Sequence, residues 1–439
     1  MRKDNSMEVS EHNSEKYLNE TISYNIKLLF LGLVFFIPVL SVFRPEDLII
    51  LLFLAGIALP VQFSYSHLVV PRLALYLVPF IIFISICMVY QSVFLNIPVA
   101  PQSVTELLHP LRIIAIIVFI YYLTEEPRHR YHITLLIVLF TLLASLLSLI
   151  QSGLILYLGP EAVPFVRYYA GVHVDTLINQ TRIFGTAVNP NRFAILLVPG
   201  IVISTSLLYH HYYNRNYNSW LVCLCIFTTM VGFFTLVFTQ SRTGLIALIA
   251  ALAISFALMF YSENEGIGKI LFFVIFGIIL FTLLLYFGFL PNRYNVLLQV
   301  RDLSTLGIRF EIWRDLFRNF ESNTVTYFIG HGPNWLYFKE FGGTDGEWIS
   351  IIFRYGISGA FVFTLFYAAI VRRSTLVLHG NGNGDSIDKL LASVSIGLVA
   401  AAILYGITDQ IVYNQRIITL FVTIWATTVH ASVRKDSKV

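Results

Sequence analysis

The sequence predicts an all-α polytopic integral membrane protein of about 12 transmembrane helices, with one large extracytoplasmic loop. Three observations predict it. Of the 439 residues, 57% are hydrophobic and only 12% are charged, and the mean hydropathy is +0.74; in ordinary soluble domains about a quarter of residues are charged. Apolar runs long enough to cross a bilayer, roughly 20 residues each, recur along the whole chain. One interval, 291–347, breaks the pattern: it is the longest polar stretch and holds Arg293, Arg301, Arg309, Arg314, Arg318, His331, Asp345 and Glu347.

The runs fall near 26–43, 47–65, 72–90, 106–123, 131–157, 192–209, 219–238, 242–260, 268–290, 347–371, 390–409 and 413–431. The first follows a polar head of more than twenty residues and lacks a small-residue cleavage site, so it reads as a retained span rather than a signal peptide. The fifth is long enough to tilt, or to break at Gln151-Ser152-Gly153, and only Thr239-Gln240-Ser241 separates the seventh from the eighth. The expected organisation is a cytoplasmic tail over 1–24, helices one to nine over 25–290, the outer loop over 291–346, helices ten to twelve over 347–431 and a cytoplasmic tail over 432–439. Cys87, Cys223 and Cys225 all lie inside apolar runs, where a thiol acts as a small hydrophobe, and their spacing is neither a disulfide framework nor a zinc motif.

An even number of spans puts both termini on one side, and the positive-inside rule makes that side cytoplasmic. The inner segments then carry Arg2, Lys3, Lys16, Lys27, Arg72, Arg128, Arg130, Arg215, Lys269, Arg372, Arg373, Lys389, Arg434, Lys435 and Lys438. The outer side carries Arg44, Arg167, Arg182, Arg192, Arg242, Arg293, Arg301, Arg309, Arg314, Arg318 and Lys339, so ten of its eleven cations are Arg. Topology needs only positive charge. An excess of Arg asks for another cause, and its planar fork of donors matches phosphate oxygens in pairs, as Lys cannot.

Four polar groups share the outer side: Arg182 with the turn from Gly185 to Asn191, the re-entry Gln240-Ser241-Arg242-Thr243-Gly244, the stretch from Gly307 to Arg314 continuing to Gly330-His331-Gly332, and Thr344-Asp345-Gly346-Glu347 leading to Gly356 and Gly359. Each has a structural reading beside the functional one. Asn189 and Asn191 flank Pro190 and suit a helix cap; Asp345 and Glu347 suit the first turn of span ten; His331 between glycines suits a turn. Arg112, Arg354 and Arg416 lie within predicted spans near their outer ends, where a charge costs ~2.5–3.5 kcal/mol on insertion scales, so they are expected to line a wet cavity.

At these residues the chain resembles the bacterial O-antigen polymerase and O-antigen ligase superfamily of polytopic glycosyltransferases. The resemblance covers roughly residues 180–372. It rests on the Gly-x-x-x-Asn-Pro-Asn turn ending at Asn191, the Ser-Arg-x-Gly of Ser241 to Gly244, the Arg-x-x-x-Trp of Arg309 to Trp313, Gly330-x-Gly332, and a polar residue eleven positions before Gly356-x-x-Gly359. It implies a GT-C-like fold and transfer of a glycan from undecaprenyl pyrophosphate to an acceptor hydroxyl, without metal or other cofactor. By similarity Arg242 and Arg309 grip the pyrophosphate, with Arg182 and Arg314 beside them, and Asn189, Asn191 and Arg354 face the substrate cavity. The ligase branch has His followed by Asn where this chain has Asp345 and Gly346, a departure that favours the polymerase branch. Asp345, Glu347 and His331 are the candidates for the proton-accepting group.

The expected function is therefore a polymerase of O-antigen, capsule or exopolysaccharide repeat units in the bacterial cytoplasmic (inner) membrane, with its active site facing the periplasm or cell exterior. Its partners are an undecaprenyl-pyrophosphate-linked oligosaccharide and membrane lipid, with a chain-length regulator and a flippase as further candidates and no nucleic acid. A ligase acting on a lipid or protein acceptor is the nearest alternative, and a small-anion transporter with an Arg-lined cavity is the alternative of another class. Transporters often pair broken helices in two halves, and no such pairing is visible. Single-cysteine labelling on a cysteine-free background should reach positions 182, 242, 309 and 345 from the outer face; labelling of position 242 from the cytoplasm alone would sink an outer phosphate site.

Overall fold

The structure is a computed structural model that describes residues 24–25, 27–29, 31, 70–99, 101–124, 126–159, 182–183, 185, 189–214, 218–262, 310–311, 313–315, 318, 324–333, 346–379, 386–411 and 414–436. Among these residues 87% are helical and there is no strand. Hydrocarbon offers backbone N–H and C=O groups no water, so a crossing segment must satisfy them within itself, and a helix does so.

The described helices are α1 (Arg72–Leu75), α2 (Val78–Val93), α3 (Pro101–Leu123), α4 (Pro127–Leu158), α5 (Pro190–Asn214), α6 (Ser219–Phe238), α7 (Arg242–Ser262), α8 (Thr324–Ile329), α9 (Glu347–Leu378), α10 (Ser386–Gly406) and α11 (Gln415–Asp436). Proline opens α3, α4 and α5, where the N–H it lacks would have had no partner. Eight candidate spans result: Arg72–Val93, Glu106–Leu123, Pro127–Leu158, Pro190–Tyr212, Ser219–Phe238, Arg242–Tyr261, Glu347–Leu378 and Ser386–Gly406. They coincide with the third to eighth, tenth and eleventh expected spans. The twelfth corresponds to α11, a helix of 22 residues whose described apolar stretch is Ile417–Thr428. The second and ninth expected spans, and nearly all of the first, lie outside the described residues, as does most of the 291–346 interval. The fifth span does not break at Gln151-Ser152-Gly153, because α4 runs unbroken through it. The seventh and eighth separate where expected, at a turn with Gln240 at φ 54°.

From α2 to α7, and again from α9 to α11, successive helices alternate in direction. Residues 94–99, 182–183, 239–241 and 407–411, with the start of α9, gather at one end, which we call the arginine end because Arg182, Arg192 and Arg242 lie there. At the opposite end stand Arg128, Arg130, Arg372, Arg373 and Lys389. Its anchor is a buried fork: Arg130 Nε and Nη2 donate to the two carboxylate oxygens of Asp388 at 2.7 and 3.0 Å, tying α4 to α10.

Two close approaches shape the interior. On α10, a Cβ placed on Gly397 would meet Ser255 Oγ at 2.2 Å and the Ala251 carbonyl oxygen at 2.5 Å, so α7 and α10 touch backbone to backbone; small residues at such contacts let membrane helices gain dispersion energy where no hydrophobic drive exists. The second is a break. Gly356, with φ 65° and ψ −174°, interrupts α9 ten residues from its start. Around it the carbonyls of Phe353 and Arg354 accept from the backbone N–H groups of His331 and Gly332 at 3.0 and 2.9 Å. A side chain at 356 would need a left-handed φ and would strike the Phe328 carbonyl at 2.2 Å.

Beside the break, Arg354 does not stand alone in a wet cavity. Its Nη1 donates to Glu106 Oε1 at 2.7 Å, and the Tyr355 hydroxyl donates to Glu106 Oε2 at 3.2 Å, with both charged side chains under 10% exposed. Breaking a buried pair by removing one partner costs ~3–5 kcal/mol, because the other charge stays buried. Glu106→Ala is therefore expected to lower the unfolding temperature of the purified protein in detergent by several degrees, and a Glu106→Leu/Arg354→Met double variant to recover most of that loss. A melt of Glu106→Ala indistinguishable from wild type would show that the pair is not structural.

Candidate functional site at the arginine end

The site is built from helix starts and the tight turns before them. Asn189 caps α5: its Oδ1 accepts from the N–H groups of Asn191 at 2.8 Å and Arg192 at 3.4 Å. Ser241 caps α7, its hydroxyl accepting from the Gly244 N–H at 3.2 Å. Between α6 and α7, the Thr239 hydroxyl donates to the Leu236 carbonyl at 2.6 Å and accepts from the Ser241 N–H at 3.2 Å, closing the turn. These caps fix the backbone from which Arg182, Arg192 and Arg242 project.

Arg182 joins the two turns. Its Nε donates to the Thr239 carbonyl at 3.1 Å and its Nη2 to Asn191 Oδ1 at 3.2 Å, while the next residue, Ile183, donates its N–H to the Phe238 carbonyl at 3.0 Å. These two acceptors are neutral oxygens, and they orient the guanidinium. Arg242, the first residue of α7, is partly exposed, and its Nε is buried without a hydrogen-bond partner among the described residues. A buried donor left unmade costs ~1–3 kcal/mol, which makes a ligand acceptor favourable there.

The α10–α11 link completes the cluster. Thr408 donates its hydroxyl to Thr243 Oγ1 at 2.9 Å, placing the link against the start of α7. Asp409 accepts from the Tyr405 hydroxyl on Oδ2 at 2.9 Å and from the Gln410 N–H on Oδ1 at 2.8 Å, and Arg192 Nε stands 3.9 Å from Oδ1. Its backbone carbonyl accepts the Glu347 N–H at 3.1 Å, so the link also seats the first turn of α9.

The structure thus brings together Arg182, Asn189, Asn191, Arg242 and Glu347 of the expected site residues. Asn189 acts as a cap and Asn191 as a partner of Arg182. The Glu347 side chain is wholly buried beneath the surface. His331 and Arg354 belong to the α9 break instead: the His331 ring stacks on Phe353 with centroids 4.6 Å apart, and Gly332 binds the Arg354 carbonyl. Arg314 is exposed and faces Asp315 at 3.8 Å. Arg309 and Asp345 lie outside the described residues. Sequence reasoning did not single out Asp409, Thr408 or Thr243 as site residues, nor Glu106 as the partner of Arg354; the one available signal was that Thr408-Asp409-Gln410 is a polar break between two apolar runs on the outer side.

Burial pushes the His331 imidazole below its ordinary pKa of 6.5, against a smaller upward pull from its bond to Phe353. Folded protein then binds fewer protons at this residue than unfolded protein does, so this contribution to stability is intact above pH 6.5 and is lost as pH falls below it. Thermal melts from pH 7.5 down to about 5 should show a decline in stability that is shallower in His331→Gln. Parallel declines in the two proteins would rule His331 out as a source of the acid sensitivity.

Residues 227–364 match the family model described as O-Antigen ligase, which places this part of the chain in the O-antigen polymerase and ligase superfamily. No curated protein matches the chain. The match spans α7, the described part of the 291–346 interval and the first half of α9, and so includes Arg242, His331, Glu347 and the break at Gly356. The family implies a multi-pass membrane enzyme of glycosyltransferase type, acting on lipid-linked oligosaccharide in general.

Proposed function

We propose that the chain polymerises polysaccharide repeat units of O-antigen, capsule or exopolysaccharide type, transferring glycan from an undecaprenyl-pyrophosphate carrier to an acceptor sugar hydroxyl on the outer leaflet of the bacterial cytoplasmic membrane. The observation that carries this reading is the guanidinium of Arg242, whose buried Nε has no hydrogen-bond partner among the described residues, at the end of the bundle where Arg182 joins the two turns. A sugar on pyrophosphate already carries a good leaving group. The protein must hold the departing charge and take one proton from the attacking hydroxyl.

Arg242 and Arg182 supply the first task, with Arg309 and Arg314 assigned to it by resemblance alone. Paired donors on a planar fork match two phosphate oxygens at once, and that positive charge needs no metal ion to supplement it. The second task falls to a carboxylate or imidazole; spacing alone offers Asp345, which lies outside the described residues. Asp345 where the ligase branch has His favours polymerisation. The description of the matching family as O-Antigen ligase favours the second reading, transfer of finished glycan to a lipid or protein acceptor.

Glycan length profiles from a strain lacking the protein test both. Loss of long chains with single repeats retained identifies a polymerase, and loss of all attached glycan identifies a ligase. Complementation with Arg242→Lys should fail nearly as badly as with Arg242→Ala, since charge is kept but the fork is lost. Near-normal polymer in the Lys variant would leave the pyrophosphate clamp without support.

A further inference from the structure

We propose that Asp409, in the α10–α11 link, is the carboxylate that receives the proton of the attacking acceptor hydroxyl, a role that rests on the glycosyl-transfer reading above. Asp409 lies beyond the residues that match the family. Three observations point to it. It stands beside the pyrophosphate clamp, because the Thr408–Thr243 hydrogen bond joins its chain neighbour to the neighbour of Arg242. Its side chain is 18% exposed, so a substrate oxygen can reach it, whereas that of Glu347 is wholly buried and that of His331 is buried and stacked on Phe353.

The third is orientation. The Tyr405 hydroxyl fixes Oδ2 and the Gln410 N–H fixes Oδ1, so the plane of the carboxylate is set before substrate arrives. A carboxylate oxygen has more than one lone pair, so an oxygen that accepts the Gln410 N–H can also accept a hydroxyl. The Arg192 guanidinium, 3.9 Å away, is beyond hydrogen-bond length, a gap that an acceptor oxygen can bridge.

The step balances without a co-reactant. The acceptor O–H proton passes to Asp409 as its oxygen bonds to the anomeric carbon; the bond from that carbon to the pyrophosphate oxygen breaks, and the carrier leaves with the electron pair, its charge held by Arg242 and Arg182. A carboxylate is a weak base, but a good leaving group lets proton transfer run late, as the bond forms.

The test uses the full chain in proteoliposomes, lipid-linked oligosaccharide extracted from the producing cells, and sodium azide as a nucleophile that has no proton to lose. Wild type should extend chains. Asp409→Asn should lose extension about 100-fold or more, the scale of a lost general base, yet in azide it should release glycosyl azide at a rate within a few-fold of wild type. Asp409→Glu should recover part of the extension. Extension by Asp409→Asn near the wild-type rate would overturn the assignment. So would loss of both reactions in that variant, which is the mark of a structural role, or an azide-rescued Asp345→Asn beside an active Asp409→Asn. Wild type that forms neither extended chains nor glycosyl azide would instead overturn the glycosyl-transfer reading itself.

Discussion

The break at Gly356 is the constraint on which the rest of the arginine end depends. A helix interrupted in hydrocarbon exposes carbonyls that nothing nearby can satisfy, at several kcal/mol for each group. Here the N–H groups of His331 and Gly332 take those carbonyls, and the Cys87 thiol takes the neighbouring Ile329 carbonyl at 3.1 Å. The end of a polar interval is thereby held against α9 by hydrogen bonds that cannot be surrendered cheaply. Downstream of this tether the chain returns at Gly346 and enters α9, whose first N–H binds Asp409. Residues 331–332 and Glu347 are thus both pinned to the bundle by backbone hydrogen bonds.

Partner chemistry separates two kinds of arginine. Arg130 and Arg354 are buried and each is matched by a carboxylate, Asp388 and Glu106, at 2.7 Å, so each pair is neutral and its role is to bind helices together. Arg182 is held by a carbonyl and an amide oxygen, and Arg242 Nε by nothing described. An anion approaching Arg354 would have to compete with Glu106 for the guanidinium. A charge within a predicted span was thus informative about cost, but only its partner says whether the cost is met internally or by a ligand.

The fold was legible because its signal is local: eight apolar runs of spanning length read directly as eight helices, and the polar triplet at 239–241 read as the turn it is. The arginine end was legible in part, since Arg and the Asn-Pro-Asn and Ser-Arg-x-Gly turns leave short-range marks. The partner of Arg354 was not, because Glu106 lies 248 residues away and nothing near Arg354 betrays it. Nor was the burial of Glu347, which depends on how α9 seats against the α10–α11 link rather than on its own neighbours. The Gln151-Ser152-Gly153 run looked like a breaker by composition, yet a glycine costs a helix only about 1 kcal/mol, less than the cost of leaving broken backbone in lipid.

The placement of Asp409 beside Arg242 follows from packing deep in the membrane. α7 and α10 run antiparallel and meet where Gly397 admits Ser255. From that contact, Thr243 lies twelve residues back along α7 and Thr408 eleven residues forward along α10, and at ~1.5 Å of rise per residue the two arrive at the same height, where their hydroxyls bond at 2.9 Å. A side chain at 397 would force the helices apart and open that bond with no change to either arginine or carboxylate. The distance between the start of α7 and the α10–α11 link is therefore set by a glycine remote from both, through the length of two rigid helices.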